Sequence, residues 1–262
     1  MKPILFHLGH FPIHTFGVLV ALGFLAGLMV SAFNMRRLGL NGEAIYDLAP
    51  WLVVAGLVGA RVWYVGSYWQ RDFVGRPWTE AFAVWQGGLV YYGGLILGTL
   101  VGIWRIHAMK LPLWTVADCL APGVALGHAF GRLGCLMNGC CFGRPTTLPW
   151  GIHFPPTHST HPAAVHPTQI YEALLNVAFF AALMWGVRHR RFPGQVFSVY
   201  LMGYAVLRSF TEWFRGDYDV RSSPLAGVLT PGQLTSLLIL IAGIALFLVL
   251  RPRSTDSPVI RR

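Results

Sequence analysis

Thr15–Phe33 reads TFGVLVALGFLAGLMVSAF, nineteen residues without a charge. At about 1.5 Å per residue such a helix is ~28 Å long, close to the hydrocarbon thickness of a bilayer. The run predicts a membrane helix, and similar windows follow at Ala49–Tyr68, Gly88–Ile106, Trp114–Cys135, Gln169–Val187, Gln195–Trp213 and Leu234–Leu250. The expected fold is an all-α polytopic membrane protein with about seven transmembrane helices, forming one integral membrane domain over 1–262. The fourth window is the weakest because Pro122, Gly123 and Gly127 interrupt it. Such residues are tolerated in spans where neighbours satisfy the backbone. A composition of 55% hydrophobic against 11% charged residues excludes an ordinary soluble domain.

Seven crossings place the termini on opposite sides, and the positive-inside rule chooses between them. Arg36, Arg37, Arg105, Lys110, Arg188, Arg190, Arg191, Arg251, Arg253, Arg261 and Arg262 fall on one side. Lys2, Arg71, Arg76, Arg144, Arg215 and Arg221 fall on the other, and Arg61, Arg132 and Arg208 lie inside spans. The N-terminus is expected outside and the C-terminus in the cytoplasm. Met1–His10 offers Lys2, Pro3 and two histidines but no cleavable leader pattern, so the first span is expected to stay. The net charge of +10 is spread over short turns and the tail instead of forming a stripe. That distribution suits anionic lipid and argues against nucleic acid.

Charged or strongly polar residues in apolar runs mark candidate sites. The richest stretch is His128–Gly143, HAFGRLGCLMNGCCFG, with Arg132, Asn138, three cysteines and four glycines. Arg132 needs a counter-ion, a cavity or an anionic substrate; Asn138 brings both donors and an acceptor. In the sixth window, Tyr204, Arg208 and Glu212 recur every four residues and share one helix face, which Arg215 extends. Asp118, near the cytoplasmic end of the fourth window, reads as a cap or ion-pair partner. Arg61 is placed in the outer half of the second span, either reaching the interface or lining the same cavity as Arg132. Gly87–Gly98, GGLVYYGGLILG, brackets Tyr91 and Tyr92 with glycine pairs that permit close helix packing or ligand approach.

Residues 144–167 form the expected periplasmic loop, a small cap over the pocket. It holds His153, His158, His161 and His166, and His7, His10 and His14 precede the first span; the spacing of neither group gives an ordered ligand set. Cys119, Cys135, Cys140 and Cys141 contain no CxxC pair. No metal or cofactor is therefore expected. Guanidinium groups at headgroup depth suit a phosphate-bearing lipid, because they bind phosphate bidentately and remain charged when partly desolvated.

The chain resembles the bacterial phosphatidylglycerol–prolipoprotein diacylglyceryl transferase family. The family signature GRxGNFxNxExxG is similar to Gly131-Arg132-Leu133-Gly134-Cys135-Leu136-Met137-Asn138-Gly139-Cys140-Cys141-Phe142-Gly143. Further similar blocks are Gly87–Gly94, Ala117-Asp118 through Pro122, His166–Glu172, and Arg208–Glu212 followed by Arg215. The resemblance implies transfer of diacylglyceryl from phosphatidylglycerol to the lipobox cysteine thiol of a prolipoprotein signal peptide. A thioether forms and glycerol phosphate leaves, as the first step of lipoprotein maturation. It also implies a bacterial cytoplasmic (inner) membrane location, multi-pass, with the site toward the periplasmic leaflet.

In this setting Arg132 and Arg208 are expected to stabilise the developing phosphate charge. Glu212 would orient Arg208, and Tyr92 would take or relay the thiol proton. Arg132, Asn138, Gly143, Tyr204 and Arg61 are the expected substrate-binding residues. Cysteine stands at 135 and 140 where the signature usually has asparagine and glutamate, Tyr92 stands where some relatives carry histidine, and Phe16 where tyrosine is common. Two other readings are a membrane thiol or quinone oxidoreductase, suggested by Cys140 and Cys141, and a transporter of an anionic solute.

Overall fold

In the computed structural model the apolar runs become seven α-helices among the described residues, which are 3–9, 11–216 and 230–251. The helices are α1 Thr15–Arg37, α2 Glu43–Asp72, α3 Tyr91–Ala108, α4 Leu113–Asn138, α5 Thr168–His189, α6 Gln195–Glu212 and α7 Pro231–Leu250. Lys2, His10, Arg221, Arg253, Arg261 and Arg262 lie outside the described residues. Five helices, α1, α2, α4, α5 and α7, are long and apolar enough to cross a membrane. The other two are 18 residues each; α3 has four glycines and α6 carries Arg208 and Glu212.

Polarity is inverted relative to a soluble protein. Leu25, Met29, Trp185, Leu238 and Leu248 are exposed, whereas Asn34, Asp118, Gln169, Glu172, Asn176, Ser198 and Glu212 are buried. Exposed large apolar side chains with polar ones turned inward are what a lipid solvent selects, since ionisable groups in a bilayer turn toward the bundle.

The chain divides into two compact units, one of Met1–Asn34 with Ala117–Arg262 and the other of Met35–Val116. In the first unit, the glycines that interrupt the fourth window leave α4 unbroken and serve close packing. A Cβ on Gly27 would lie 2.9 Å from the Gly123 oxygen, and one on Gly123 would lie 2.5 Å from the Gly27 oxygen. Gly23 and Gly127 meet one turn away, so a small-xxx-small pair on α1 faces one on α4. Asp118 ties the helices at the opposite end. Its carboxylate pairs with Arg190 at 2.9 Å and accepts from the Gly194 and Phe197 amides at 2.8 and 2.9 Å. It thus caps α6 and neutralises Arg190, the capping and pairing role read for it from sequence.

The segment expected as a cap folds around a short hairpin, β3 Ile152–His153 paired with β4 Ala164–Val165, and bridges Gly143 to Arg215 and Pro145 to Val165. Its histidines hold the turns. His153 Nδ1 meets the Pro162 oxygen at 3.0 Å, His158 Nε2 the Gly139 oxygen at 2.8 Å, and His166 Nδ1 the Tyr171 hydroxyl at 3.3 Å. A second hairpin, β1 Ile4–Leu8 with β2 Phe11–His14, precedes α1. Sequence reading does not expect it, because strands of five and four residues are too short for alternation to show.

In the second unit, α2 packs on α3 through Gly59 and Gly93, where a Cβ on either would run into the other's carbonyl oxygen. The glycines flanking the tyrosine pair therefore include one used for packing. Arg61 is buried at 8% exposure. Its Nε donates to the Ala81 oxygen at 2.8 Å, Nη2 to the Glu80 oxygen at 2.7 Å, and Nη1 to the Gly87 and Gly88 oxygens at 2.7 and 3.1 Å. A guanidinium offers its N–H donors in a fixed fork, and here carbonyls of the α2–α3 connection accept four hydrogen bonds from it. Arg61 thus fastens that connection to α2.

Alanine substitution separates packing glycines from free ones. Gly17 has open space around its Cβ position, so Gly17→Ala should be neutral or raise the thermal midpoint in micelles through better helix propensity, about 1 kcal/mol at most. Gly123→Ala should lower the midpoint, because overpacking of about one methyl outweighs that gain. Equal midpoints would remove the close α1–α4 crossing.

Candidate active site: an arginine and carboxylate cluster

Arg132 lies six residues before the end of α4, Glu172 four residues after the start of α5, and Arg208 four residues before the end of α6. At ~1.5 Å rise per residue all three therefore sit within about 9 Å of one end of their bundle. Antiparallel succession of the helices supplies a cation, an anion and a cation at one depth.

One carboxylate joins both guanidiniums. Glu172 Oε2 lies 2.5 Å from Arg132 Nε, and its Oε1 lies 3.7 Å from Arg208 Nη1. Arg208 Nη1 also pairs with Glu212 Oε2 at 2.8 Å across one helical turn. That contact is Coulombic without an aligned hydrogen bond: both Arg208 Nη1 and Glu212 Oε2 are buried with no hydrogen-bond partner. The other Glu212 oxygen accepts from the Thr230 hydroxyl at 2.7 Å, at the N-terminus of α7, where the helix end favours an anion. The Arg132 and Arg208 side chains keep 14% and 17% exposure, against 5% and 1% for Glu172 and Glu212. The cations, and not the carboxylates, face what approaches.

Around this core, Arg132 Nε donates to His128 Nε2 at 3.1 Å, and the His128 ring lies 5.7 Å from that of Tyr204. His128, Glu172, Asn176, Tyr204, Arg208 and Thr211 line a cavity of about 10 Å³, room for about one water. Tyr204 thus lies beside His128 and Arg208 in the cavity wall. A hollow of about 800 Å³ also opens near His189 at the end of α5 and Arg191 just beyond it. It lies some 17 residues, or ~25 Å, along α5 from Glu172 and holds none of this chemistry.

Asn138 ends α4, and its Nδ2 lies 3.8 Å from Cys140 Sγ. Gly143 sits where a side chain would strike His166 and the Phe214 oxygen, and its bridge to Arg215 joins the cap to the end of α6. Two buried side chains at the start of α5 hold the intervening turn: Thr168 Oγ1 donates to the Cys141 oxygen at 2.6 Å, and Gln169 Nε2 to the Cys140 oxygen at 2.7 Å. Beyond the helix, hydrogen bonds from the Cys135 and Cys140 thiols hold the Cys141 thiol below the usual thiol range, aided by the charges of Arg215 and Arg132. Tyr92 lies in the other unit at the start of α3, exposed, its ring 5.9 Å from that of Tyr91. Arg61 occupies its loop clamp in that unit too.

Glu172 is the residue sequence reasoning leaves without a role. The signal is its place at the end of His166–Glu172, a block resembling the family, and an acidic residue inside an apolar run.

A family model described as prolipoprotein diacylglyceryl transferase matches residues 3–249. The chain is 35% identical to a Synechocystis protein named phosphatidylglycerol–prolipoprotein diacylglyceryl transferase, over 93% of this chain and 87% of that one. It is 37% identical to a Synechococcus protein of the same name over 82% and 80% of the two chains, and 35% identical to one from Gloeobacter violaceus over 93% and 89%. The chain belongs to the prolipoprotein diacylglyceryl transferase family. In this member of the family the signature glycines, arginine and asparagine sit on α4 and the turn after it, and the His166–Glu172 block delivers the carboxylate that meets the signature arginine.

The shared carboxylate is expected to matter more than a surface one. Glu172→Gln would leave the part-buried Arg132 guanidinium without its carboxylate and Arg208 with Glu212 alone, a loss on the order of 3–5 kcal/mol when one partner of a buried pair is removed. Glu43→Gln removes the exposed partner of Arg36, a pair with 58% and 65% exposure, and should change stability by no more than about 1 kcal/mol. Unfolding midpoints of the two variants in micelles measure the difference; similar midpoints would show that Glu172 does not hold the bundle.

Proposed function

We propose that this chain transfers the diacylglyceryl group of phosphatidylglycerol to the lipobox cysteine thiol of a prolipoprotein, as the names of its relatives indicate for them. The observation that carries this reading at residue level is the pair of guanidiniums on one carboxylate, with Arg208 Nη1 lacking a hydrogen-bond acceptor. A buried donor without an acceptor is rare and invites one. A phosphodiester oxygen meets that need, and a guanidinium fork matches phosphate geometry.

In the reaction the substrate sulfur bonds to the diacylglyceryl carbon while that carbon's bond to the phosphate oxygen breaks. The electron pair leaves with glycerol phosphate, the thiol proton is released, and a thioether remains. Negative charge gathers on the departing phosphate, where Arg132 and Arg208 stabilise it as preorganised cations. Glu172 and Glu212 position the two guanidiniums, and Asn138 and Tyr204 offer hydrogen bonds to the headgroup. The attacking species is a thiolate. Tyr92 remains a proposed proton relay, working with whatever brings the lipobox cysteine to the site.

The seven helices all cross the membrane on this reading, with α3 and α6 as the more polar members. The basic ends Arg36 and Arg37, Arg105, Arg188 and Arg251 then face the cytoplasm. The cluster lies at the opposite, outer end, toward the periplasmic leaflet of the inner membrane, under the 144–167 cap. A cavity that admits one water cannot hold a headgroup. Binding therefore separates Glu172 from at least one guanidinium, and the phosphate takes its place.

Purified protein incubated with labelled phosphatidylglycerol and a lipobox peptide should yield a thioether-linked product and free glycerol phosphate. Arg132→Ala and Arg208→Ala should each abolish product while membrane insertion persists. Arg132→Lys should lose most of the turnover, because a point charge cannot reproduce the planar fork. Near-normal turnover for either alanine variant would take that arginine out of the reaction.

A further inference from the structure

The motif that the transferase reading leaves unused is the cysteine set after Arg132. Cys135 sits on α4, and a turn with left-handed Gly139 (φ 75) and Cys141 (φ 63) folds Cys140 and Cys141 back toward it. The three sulfurs all lie within 4.8 Å of one another, all four cysteines of the chain are free, and the fourth, Cys119, is buried elsewhere on α4. Left-handed backbone at a non-glycine residue costs about 1–2 kcal/mol. Such strain is kept where the surroundings need the side chain placed there.

We propose that Cys135, Cys140 and Cys141 form a three-thiolate site for a thiophilic closed-shell cation, with Cu(I) the best match. Thiolate donors select soft ions of this kind. Metal–sulfur bonds of ~2.3 Å set ligand sulfurs about 3.8–4.0 Å apart, so the cluster closes by less than about 1 Å on binding. Among the described residues no histidine, aspartate or glutamate donor joins the three sulfurs at that range. The Cys140 and Cys141 carbonyls already accept from Gln169 and Thr168. Three sulfurs and no fourth protein donor fit a trigonal monovalent ion better than zinc, whose structural sites take four ligands. Binding replaces up to three S–H protons with one metal ion and leaves a net charge of −2. Arg132 and Arg215, whose charges already act on Cys141, offset that charge.

The site also has a mechanical consequence. The same turn is held by Thr168 and Gln169, four and three residues before Glu172, and Cys135 lies three residues after Arg132. A bound ion would therefore tie the end of α4 to the start of α5 beside the arginine cluster. This inference stands apart from the transferase reading, since it needs only the sulfur positions.

The test is an anaerobic titration of the full-length reduced protein in micelles with Cu(I), in competition with bicinchoninate. One Cu(I) per chain is expected, with serine at 135, 140 or 141 weakening binding on the order of tenfold or more, as even outer-shell losses do, and Cys119→Ser binding as the parent does. A triple Cys135→Ser, Cys140→Ser, Cys141→Ser variant that binds like the parent would overturn the site, as would loss of binding in Cys119→Ser. Where serine variants do not fold, the parent protein answers. Cu(I) should protect Cys135, Cys140 and Cys141 from maleimide in peptide mass spectra, and unchanged labelling of those residues would overturn the proposal.

Discussion

Two guanidiniums on one carboxylate are the constraint around which the first unit is arranged. Arg132, Glu172 and Arg208 come from three successive helices of that unit, and Glu212 is braced by Thr230 at the start of a fourth, α7. Two arginines and two glutamates sum to zero, which allows the cluster to sit inside an apolar bundle at all. Breaking an ion pair in such a place costs far more than the pair's net worth, so the helices are held in register by the penalty for separating them. The remaining devices serve that register. The glycine faces of α1 and α4 bring backbones close, and Asp118 fixes the start of α6 from the far end.

Most of this is legible in the sequence because lipid makes sequence signals strong. An uncharged run of nineteen residues has few uses other than crossing a bilayer, and a charge inside such a run is expensive enough to be informative. Arg132, Arg208 and Glu212 stood out for that reason, with Glu212 at the four-residue spacing that shares a helix face. Glu172 did not stand out, because its partners are 40 residues before it and 36 after it and no local periodicity connects them. Arg61 shows the complementary limit. A guanidinium in a span signals that it needs acceptors, but not whether they belong to a ligand or to carbonyls of the chain 19 to 27 residues away.

The glycines and cysteines show the same limit. Pro122, Gly123 and Gly127 look like breaks in a helix when read along the chain, yet two of them make contact surface once α1 lies against α4. Likewise Cys135, Cys140 and Cys141 show no ligand spacing on a line. Their sulfurs meet because Gly139 and Cys141 adopt left-handed backbone, a choice that Gly139 tolerates and that nothing local demands of Cys141. Patterns set by one helix are readable; those set by a turn between helices are not.

Neutrality of the cluster also bears on how a substrate enters. A phosphodiester brings one more negative charge into a site whose charges already cancel, so it gains little by sitting beside an intact cluster. On the proposed reading it gains when a guanidinium exchanges Glu172 for phosphate. The asymmetry of the contacts favours Arg208 as the group that exchanges. Its distance to Glu172 is 3.7 Å against 2.5 Å for Arg132, and its Nη1 lacks an aligned hydrogen bond. Arg132, held through one Nε by both His128 and Glu172, keeps its Nη groups for a ligand without moving. On the proposed reading, one arginine receives the headgroup and the other follows it.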